Sequence, residues 1–258
     1  MVNTPNDLDR NRQSPSISHP DAINIWQQNV NKSQTCQHDL ISSAALARKG
    51  IDIVALQEPA INRFGTTIAS RDWTPIYPTP HNSEPRKTRS LILIRSNILT
   101  ERWKQIDFPS GDVTAIQIYG EWGEMTMYNV YNDCERNDTI HQLVNYQPTA
   151  HNNRNNGGAR YVLWLGDFNR HHPHWDDPSD TRLFTRAATR DAEILISAVA
   201  NAGLELALPP GIPTHLHSVS KRWTRLDQVL YLKKPWTRLS PARPSRIPQV
   251  LTQITFLY

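Results

Sequence analysis

Cysteine is scarce in this sequence, with only Cys36 and Cys134 among 258 residues. Two thiols cannot build a disulfide framework, so the fold must rest on a packed core, and both read as reduced, partly buried side chains. No apolar run approaches the roughly 18 residues that cross a bilayer, which excludes a membrane-spanning helix. The N-terminal MVNTPNDLDRNRQSPSISHPD is polar and holds prolines but lacks the apolar stretch of a secretory signal. Residues 1–22 therefore read as a disordered leader on an intracellular protein. No Walker loop is present, which argues against nucleotide-type phosphate cradling. Acidic residues stop at Asp227 and histidines at His217. The tail, residues 233–258, carries four prolines, five basic residues and no acidic one.

A hydrophobic fraction of 38% allows one large core, and the net charge of +4 leans mildly toward an anionic partner. INIWQQNV, from Ile23, and IDIVALQE read as strands around a helix over Ser33–Lys49, with Leu40, Ala44 and Ala47 on one face and Gly50 as its stop. Ser90–Arg95, Val113–Tyr119 and Met125–Tyr131 read as three consecutive antiparallel strands. A helix is predicted near Asp138–Gln147, and a loop over the Asn- and Gly-rich residues 151–160. YVLWLGD reads as a buried strand. Leu195, Ala198, Val199 and Ala202 have helical spacing ahead of Gly203, and residues 222–232 form a last strand. This pattern suits two sheets packed face to face with helices outside.

Several apolar strands end in a carboxylate or amide: Asn29, Glu58, Asp167 with Asn169, and Asp227 within TRLDQVL. Taken singly, each is more often a turn former or a helix cap. Together they form an oxygen-rich donor set that suits Mg²⁺, an ion that takes one or two carboxylates and keeps waters for substrate phosphate to displace.

The order INIWQQNVN, DIVALQEP, NVYND, WLGDFNRHHPHW, TRLDQVL resembles the endonuclease/exonuclease/phosphatase superfamily. More narrowly, it is similar to the endonuclease domain of non-LTR (LINE-type) retrotransposons, over residues 23–232. The resemblance implies an α/β, four-layer α/β/β/α sandwich of two mixed sheets flanked by helices, and a Mg²⁺-dependent (or Mn²⁺-dependent) DNA endonuclease. Glu58 then matches the metal-binding glutamate, and Asn29 the asparagine that helps hold the metal and its neighbouring carboxylates. Asp167 matches the aspartate that orients or deprotonates water. Asn169 and Tyr131 match the asparagine and tyrosine that approach the scissile phosphate. Asp227 matches the aspartate that orients an active-site histidine.

Family members end with an Asp-His pair on a late strand. The tail here holds none, so the closing strands are expected to be absent and cleavage feeble or lost. The competing reading is a non-catalytic retroelement remnant with residual nucleic-acid binding. A phosphoinositide phosphatase or a sphingomyelinase fits less well, because NRHHPHW and HLHSVSKRWTRLDQ look retroelement-like. His171, His172, His174, His215 and His217 leave a zinc site open, although His171 and Trp175 fit better as residues that shape the loop beside the site. Arg63, Arg86, Lys87, Arg89, Arg170, Lys221 and Arg222 are candidates for contact with the DNA backbone, each weighed against plain solvated surface. The expected partner is the DNA phosphate backbone, with no membrane, no obligate protein partner, and a nuclear location if the substrate is chromosomal.

Overall fold

The computed structural model describes residues 23–68, 70–120, 122–146, 159–217 and 220–232, and the backbone of 252–254. The leader (residues 1–22) and nearly all of the 233–258 tail lie outside the described residues, as does most of the expected loop over 151–160.

One sheet contains β1 (Ile25–Asn29), β2 (Ile53–Gln57), β3 (Trp73–Ile76) and β4 (Ser90–Arg95), together with β13 (Thr252–Ile254). Its order is β13-β1-β2-β4-β3, with β1 parallel to both β2 and β13. The edge beside β1, where closing strands were expected to be absent, thus carries a three-residue strand from the tail.

The second sheet contains β5 (Trp103–Ile106), β6 (Val113–Gly120), β7 (Gly123–Tyr131), β8 (Ala159–Asp167), β9 (Leu204–Leu206) and β12 (Asp227–Leu232). Its order is β5-β6-β7-β8-β12-β9, and only β7 and β8 run parallel. A short hairpin of β10 (His215–Leu216) and β11 (Trp223–Thr224) leads into β12. The last predicted strand, residues 222–232, is therefore broken before Asp227.

Strand alternation builds three apolar layers. Ile25, Ile53, Ala55, Ile92 and Ile94 of the first sheet face Ile116, Met125, Met127, Leu163, Leu165 and Val229 of the second. The outer face of the first sheet (Trp26, Val54, Leu56, Leu91, Leu93) packs on α1 (Gln34–Ser42) and α2 (Ala44–Arg48) through Leu40, Ile41 and Leu46. The outer face of the second (Val113, Tyr128, Val130, Trp164, Leu230) packs on α3 (Asp138–Asn145) and α4 (Arg186–Asn201) through Ile140, Leu143, Ala192, Leu195 and Ala198. This is the four-layer α/β/β/α sandwich.

Two local expectations change. The single helix predicted over 33–49 is two helices, because Ser43 adopts extended backbone. Its N–H closes α1 on Leu40 O at 3.1 Å, and its carbonyl accepts from Leu46 N at 3.2 Å. Serine competes well for such terminal bonds, and the break turns Leu46 inward in place of Ala44 and Ala47. Of the three strands predicted to be consecutive and antiparallel, Val113–Tyr119 and Met125–Tyr131 do pair so, but Ser90–Arg95 lies in the other sheet. The run SLILIR is apolar at alternate and intervening positions alike, so it is buried on both faces in the middle of the first sheet. The half-exposed β5 takes the place beside β6.

Gly166 lies where β8 leaves no room for a side chain against β7. It pairs with Val130 at φ +139°, and a Cβ there would stand 1.9 Å from Val130 O. Both the backbone and the space exclude a side chain. Gly166→Ala is expected to lower unfolding free energy by about 3 kcal/mol or more. Urea unfolding followed by far-UV circular dichroism checks this, and an unchanged midpoint would contradict the packing of β7 on β8.

Candidate active site

The inward positions of the central strands are apolar and then turn polar toward one end. β1 runs Ile25, Gln27, Asn29; β2 runs Ile53, Ala55, Gln57; β7 runs Met125, Met127, Asn129, Tyr131; β8 runs Leu163, Leu165, Asp167; and β12 enters from that end at Asp227. The same alternation that fills the core therefore carries polar side chains to the mouth of the sandwich.

At the mouth, Asn29 Nδ2 donates to Glu58 Oε1 at 3.2 Å and to Asp167 Oδ2 at 2.9 Å. One amide thus ties together carboxylates 109 positions apart in the chain. Asn29 is itself fixed, because its Oδ1 accepts from Asn31 N at 2.8 Å. Asp167 Oδ1 accepts from Asn169 N at 3.0 Å, and Asn169 Nδ2 donates to Asn132 O at 2.9 Å. Glu58, Asn31, Lys32 and Asn169 all have φ between +46° and +55°. Glutamate rarely adopts this region, and such strain persists only where surroundings impose it. Here Glu58 N donates to Arg89 O at 2.8 Å and Glu58 O accepts from Lys32 N at 2.7 Å.

Tyr131 stands against Glu58 with the Arg89 guanidinium 4.8 Å from its ring centroid. Burial and the charges of Glu58 and Asp167 push its hydroxyl well above the usual phenol range, so it remains a donor at neutral pH. Burial also raises the carboxyl of Asp167, with the charge of Asp227 adding to the effect and the Asn29 bond opposing it. Asp227 is raised by burial as well. It pairs in register with Asp167, and its Oδ1 accepts from Gln27 Nε2 at 2.7 Å. Thr214 Oγ1, from the segment before β10, accepts from Asp227 N at 3.1 Å. Among the described residues no cation lies within ion-pair distance of Asp167 or Asp227, and Glu58 meets only the exposed Lys32 at 3.8 Å.

All six side chains singled out in the sequence converge at this end. Asp227 differs in its partner, since an amide rather than a histidine holds its carboxylate. The sequence reading missed a buried amide chain beneath the site. Gln27 Nε2 also donates to Gln57 Oε1 at 2.7 Å, Gln57 donates to Asn129, and Asn129 Nδ2 donates to the carbonyls of Leu56 and Leu91 at 2.9 and 2.8 Å. The signal was present in β1, β2 and β7, where an inward apolar position gives way to Gln or Asn.

Two other expectations are corrected, and the loop-shaping role of His171 and Trp175 agrees with their bonds. Arg170 does not face solvent: it is 3% exposed, and its guanidinium is used up on backbone oxygens and Asn137. Arg89 is bidentate on Asp112 and also bound to Asp133, so neither arginine is free to meet DNA. The histidines after Asn169 serve the loop: His171 Nδ1 lies 3.2 Å from Asp176 Oδ2, which also accepts from His172 N, and Trp175 Nε1 donates to Arg170 O at 2.9 Å. Among the described residues no three His, Cys, Asp or Glu side chains converge as a metal-binding group, at these histidines or at the mouth of the sandwich.

Residues 125–235 match the family model described as endonuclease-reverse transcriptase. The match spans Tyr131, Asp167, Asn169 and Asp227 and leaves Asn29 and Glu58 outside it. No curated protein matches the chain. Among solved structures, the endonuclease domain of TRAS1, a telomere-specific non-LTR retrotransposon, aligns with a TM-score of 0.57 and 14% identity, over 80% of this chain and 84% of that one. The AP endonuclease LMAP from Leishmania major aligns at 0.52 and 9% identity, over 81% and 78%. The chain resembles the endonuclease/exonuclease/phosphatase superfamily, by sequence pattern over residues 125–235 and by fold over most of its length. No helix among the described residues is long and apolar enough to cross a membrane.

Proposed function

We propose that the chain is a divalent-metal-dependent DNA endonuclease of retrotransposon type whose cleavage is slow. The observation that carries this reading is the single Asn29 amide holding both Glu58 and Asp167, with Tyr131 and Asn169 beside them. The donor set is all oxygen, which suits Mg²⁺ or Mn²⁺ over softer ions. Among the described residues Asp167 has no cation within ion-pair distance and Asp227 is offset only by the more distant charge of Arg225, which leaves negative charge that an ion would balance. Glu58 would hold the ion directly, with Asn29 beside it through the second lone pair of Oδ1. A bound divalent ion would neutralise the phosphodiester and the charge that develops on its oxygens.

The remaining roles belong to the chain. Asp167, its carboxyl raised by burial, is a stronger base than an exposed aspartate and takes the proton of the attacking water. Tyr131 and Asn169 offer hydrogen bonds to non-bridging phosphate oxygens without adding negative charge. Asp227, bound by Gln27, orients no histidine among the described residues. This supports slow turnover, since losing one member of a catalytic unit costs about 10⁴-fold or more.

Supercoiled plasmid tests the reading. With protein in excess, Mg²⁺ is expected to support single-turnover nicking that EDTA and Glu58→Ala each abolish. Nicking that survives both would refute the metal site. Turnover at about 1 s⁻¹ or faster, an ordinary enzyme rate, would refute the slow step. Binding of DNA without any nicking would favour the non-catalytic remnant.

A further inference from the structure

We propose that the turn at Asn62–Thr66 is a DNA-stacking subsite, in which Phe64 packs on a base near the scissile phosphate and Arg63 and Arg86 hold the flanking backbone. The inference rests on the endonuclease reading and adds to it a contact that selects DNA geometry.

Phe64 is 75% exposed, the most exposed large apolar side chain among the described residues. It is not on a loose loop. Asn62 Oδ1 accepts from Phe64 N at 2.8 Å and Thr66 N at 3.1 Å, while Gly65 N donates to Asn62 O at 3.0 Å. Ile61 and Thr67 form a bridge below the turn. The turn is also braced from behind: buried His81 lies 2.7 Å from Gly65 O through Nε2, and the Cα of Gly65 packs on Pro85 so closely that a Cβ would stand 3.1 Å from the proline ring. A rigid, exposed aromatic costs little entropy to use in binding.

The surroundings favour an anion. A groove of about 480 Å³ runs between Arg63, Phe64 and Gly65 on one side and Pro85, Arg86 and Lys87 on the other. The Arg63 guanidinium lies 4.7 Å from the Phe64 ring centroid, and Lys87 pairs with Glu84 at 2.6 Å. That leaves Arg63 and Arg86 as cations around an apolar platform, the combination that binds a nucleic-acid strand through backbone charge and base stacking. Phe64 lies six residues beyond Glu58, a chain reach of at most about 20 Å. At a rise of about 3.4 Å per nucleotide, the platform meets bases within roughly six nucleotides of the cleaved bond.

Fluorescence anisotropy in EDTA, where DNA is bound but not cut, tests the subsite. The probes are a paired duplex and the same duplex with a short mismatched bubble, which presents free base faces. Phe64→Ala is expected to weaken binding of the bubble by about 5- to 100-fold, and that of the paired duplex less. Phe64→Trp should keep parental affinity. Replacing Arg63 and Arg86 by alanine should flatten the slope of log affinity against log salt by about two units. An equal affinity of parent and Phe64→Ala for both probes would overturn the subsite and leave the endonuclease reading standing. Failure of the parent to bind either DNA would overturn both. A thermal melt of Phe64→Ala matching the parent excludes misfolding as the cause of weaker binding.

Discussion

Asp167→Asn is expected to lower metal-dependent nicking by about 10²- to 10⁴-fold, the usual worth of a positioned general base, while leaving the metal-free protein at least as stable as its parent. The two effects have one cause. Asp167 lies buried at the end of β8 opposite Asp227, and burial, then the Asp227 charge, raises its carboxyl above the ordinary aspartate range. The folded state thus resists the ionised form that the reaction uses. Asparagine keeps an acceptor for Asn169 N, which Asp167 now binds at 3.0 Å, but turns its amide toward Asn29. One lost hydrogen bond costs about 1 kcal/mol, less than burying an uncompensated charge.

The pH dependence follows from the direction of the shift. A carboxyl whose folded value lies above its unfolded value destabilises the fold where it is ionised, and the penalty fades as pH falls through the folded value and a proton returns. Melting in EDTA should therefore show the advantage of Asp167→Asn at pH 8 and a shrinking difference toward pH 5. An advantage that grew on acidification would contradict the raised carboxyl. A variant that nicked at the parental rate would remove Asp167 from the reaction.

The layers and the mouth were legible because short-range periodicity encodes them. YVLWLGD announces a strand buried on both faces that ends in a carboxylate, and INIWQQNV and DIVALQE do the same for Asn29 and Glu58. Pairings at long separation were not legible. Gln27 and Asp227 meet across 200 residues, and although strand alternation turns Gln27 inward, nothing local names its partner. The split at Ser43 escaped notice because the helical spacing of Leu40, Ala44 and Ala47 runs straight through it. Arginine misled most. Its charge favours an exposed reading, yet burial is decided by acceptors gathered from other segments.

Arg170 is the extreme case, and Arg170→Ala is expected to cost about 2–4 kcal/mol, roughly 5–15 °C of melting temperature in a protein of this size. Its Nε donates to Asn137 Oδ1 at 2.9 Å. One terminal nitrogen donates to the carbonyls of Asp133, Cys134 and Asn169 at 3.0, 3.2 and 2.7 Å. The other donates to Arg136 O at 2.6 Å and Asn137 Oδ1 at 2.7 Å. One planar fork therefore closes the segment between β7 and α3 onto the end of β8, and alanine would strand several carbonyls without donors. The consequence reaches the site, since this segment carries Asn132, whose carbonyl receives Asn169, and Asp133, which binds Arg89 behind Tyr131. Nicking should fall along with stability. Arg170→Lys should rescue little, because a single ammonium with three donors cannot span the five acceptor groups. Salt dependence separates this role from direct contact with DNA. A buried clasp leaves the slope of log affinity against log salt unchanged below the melting range, whereas loss of a phosphate contact would reduce it by about one unit. A normal melt with a reduced slope would return Arg170 to the DNA interface.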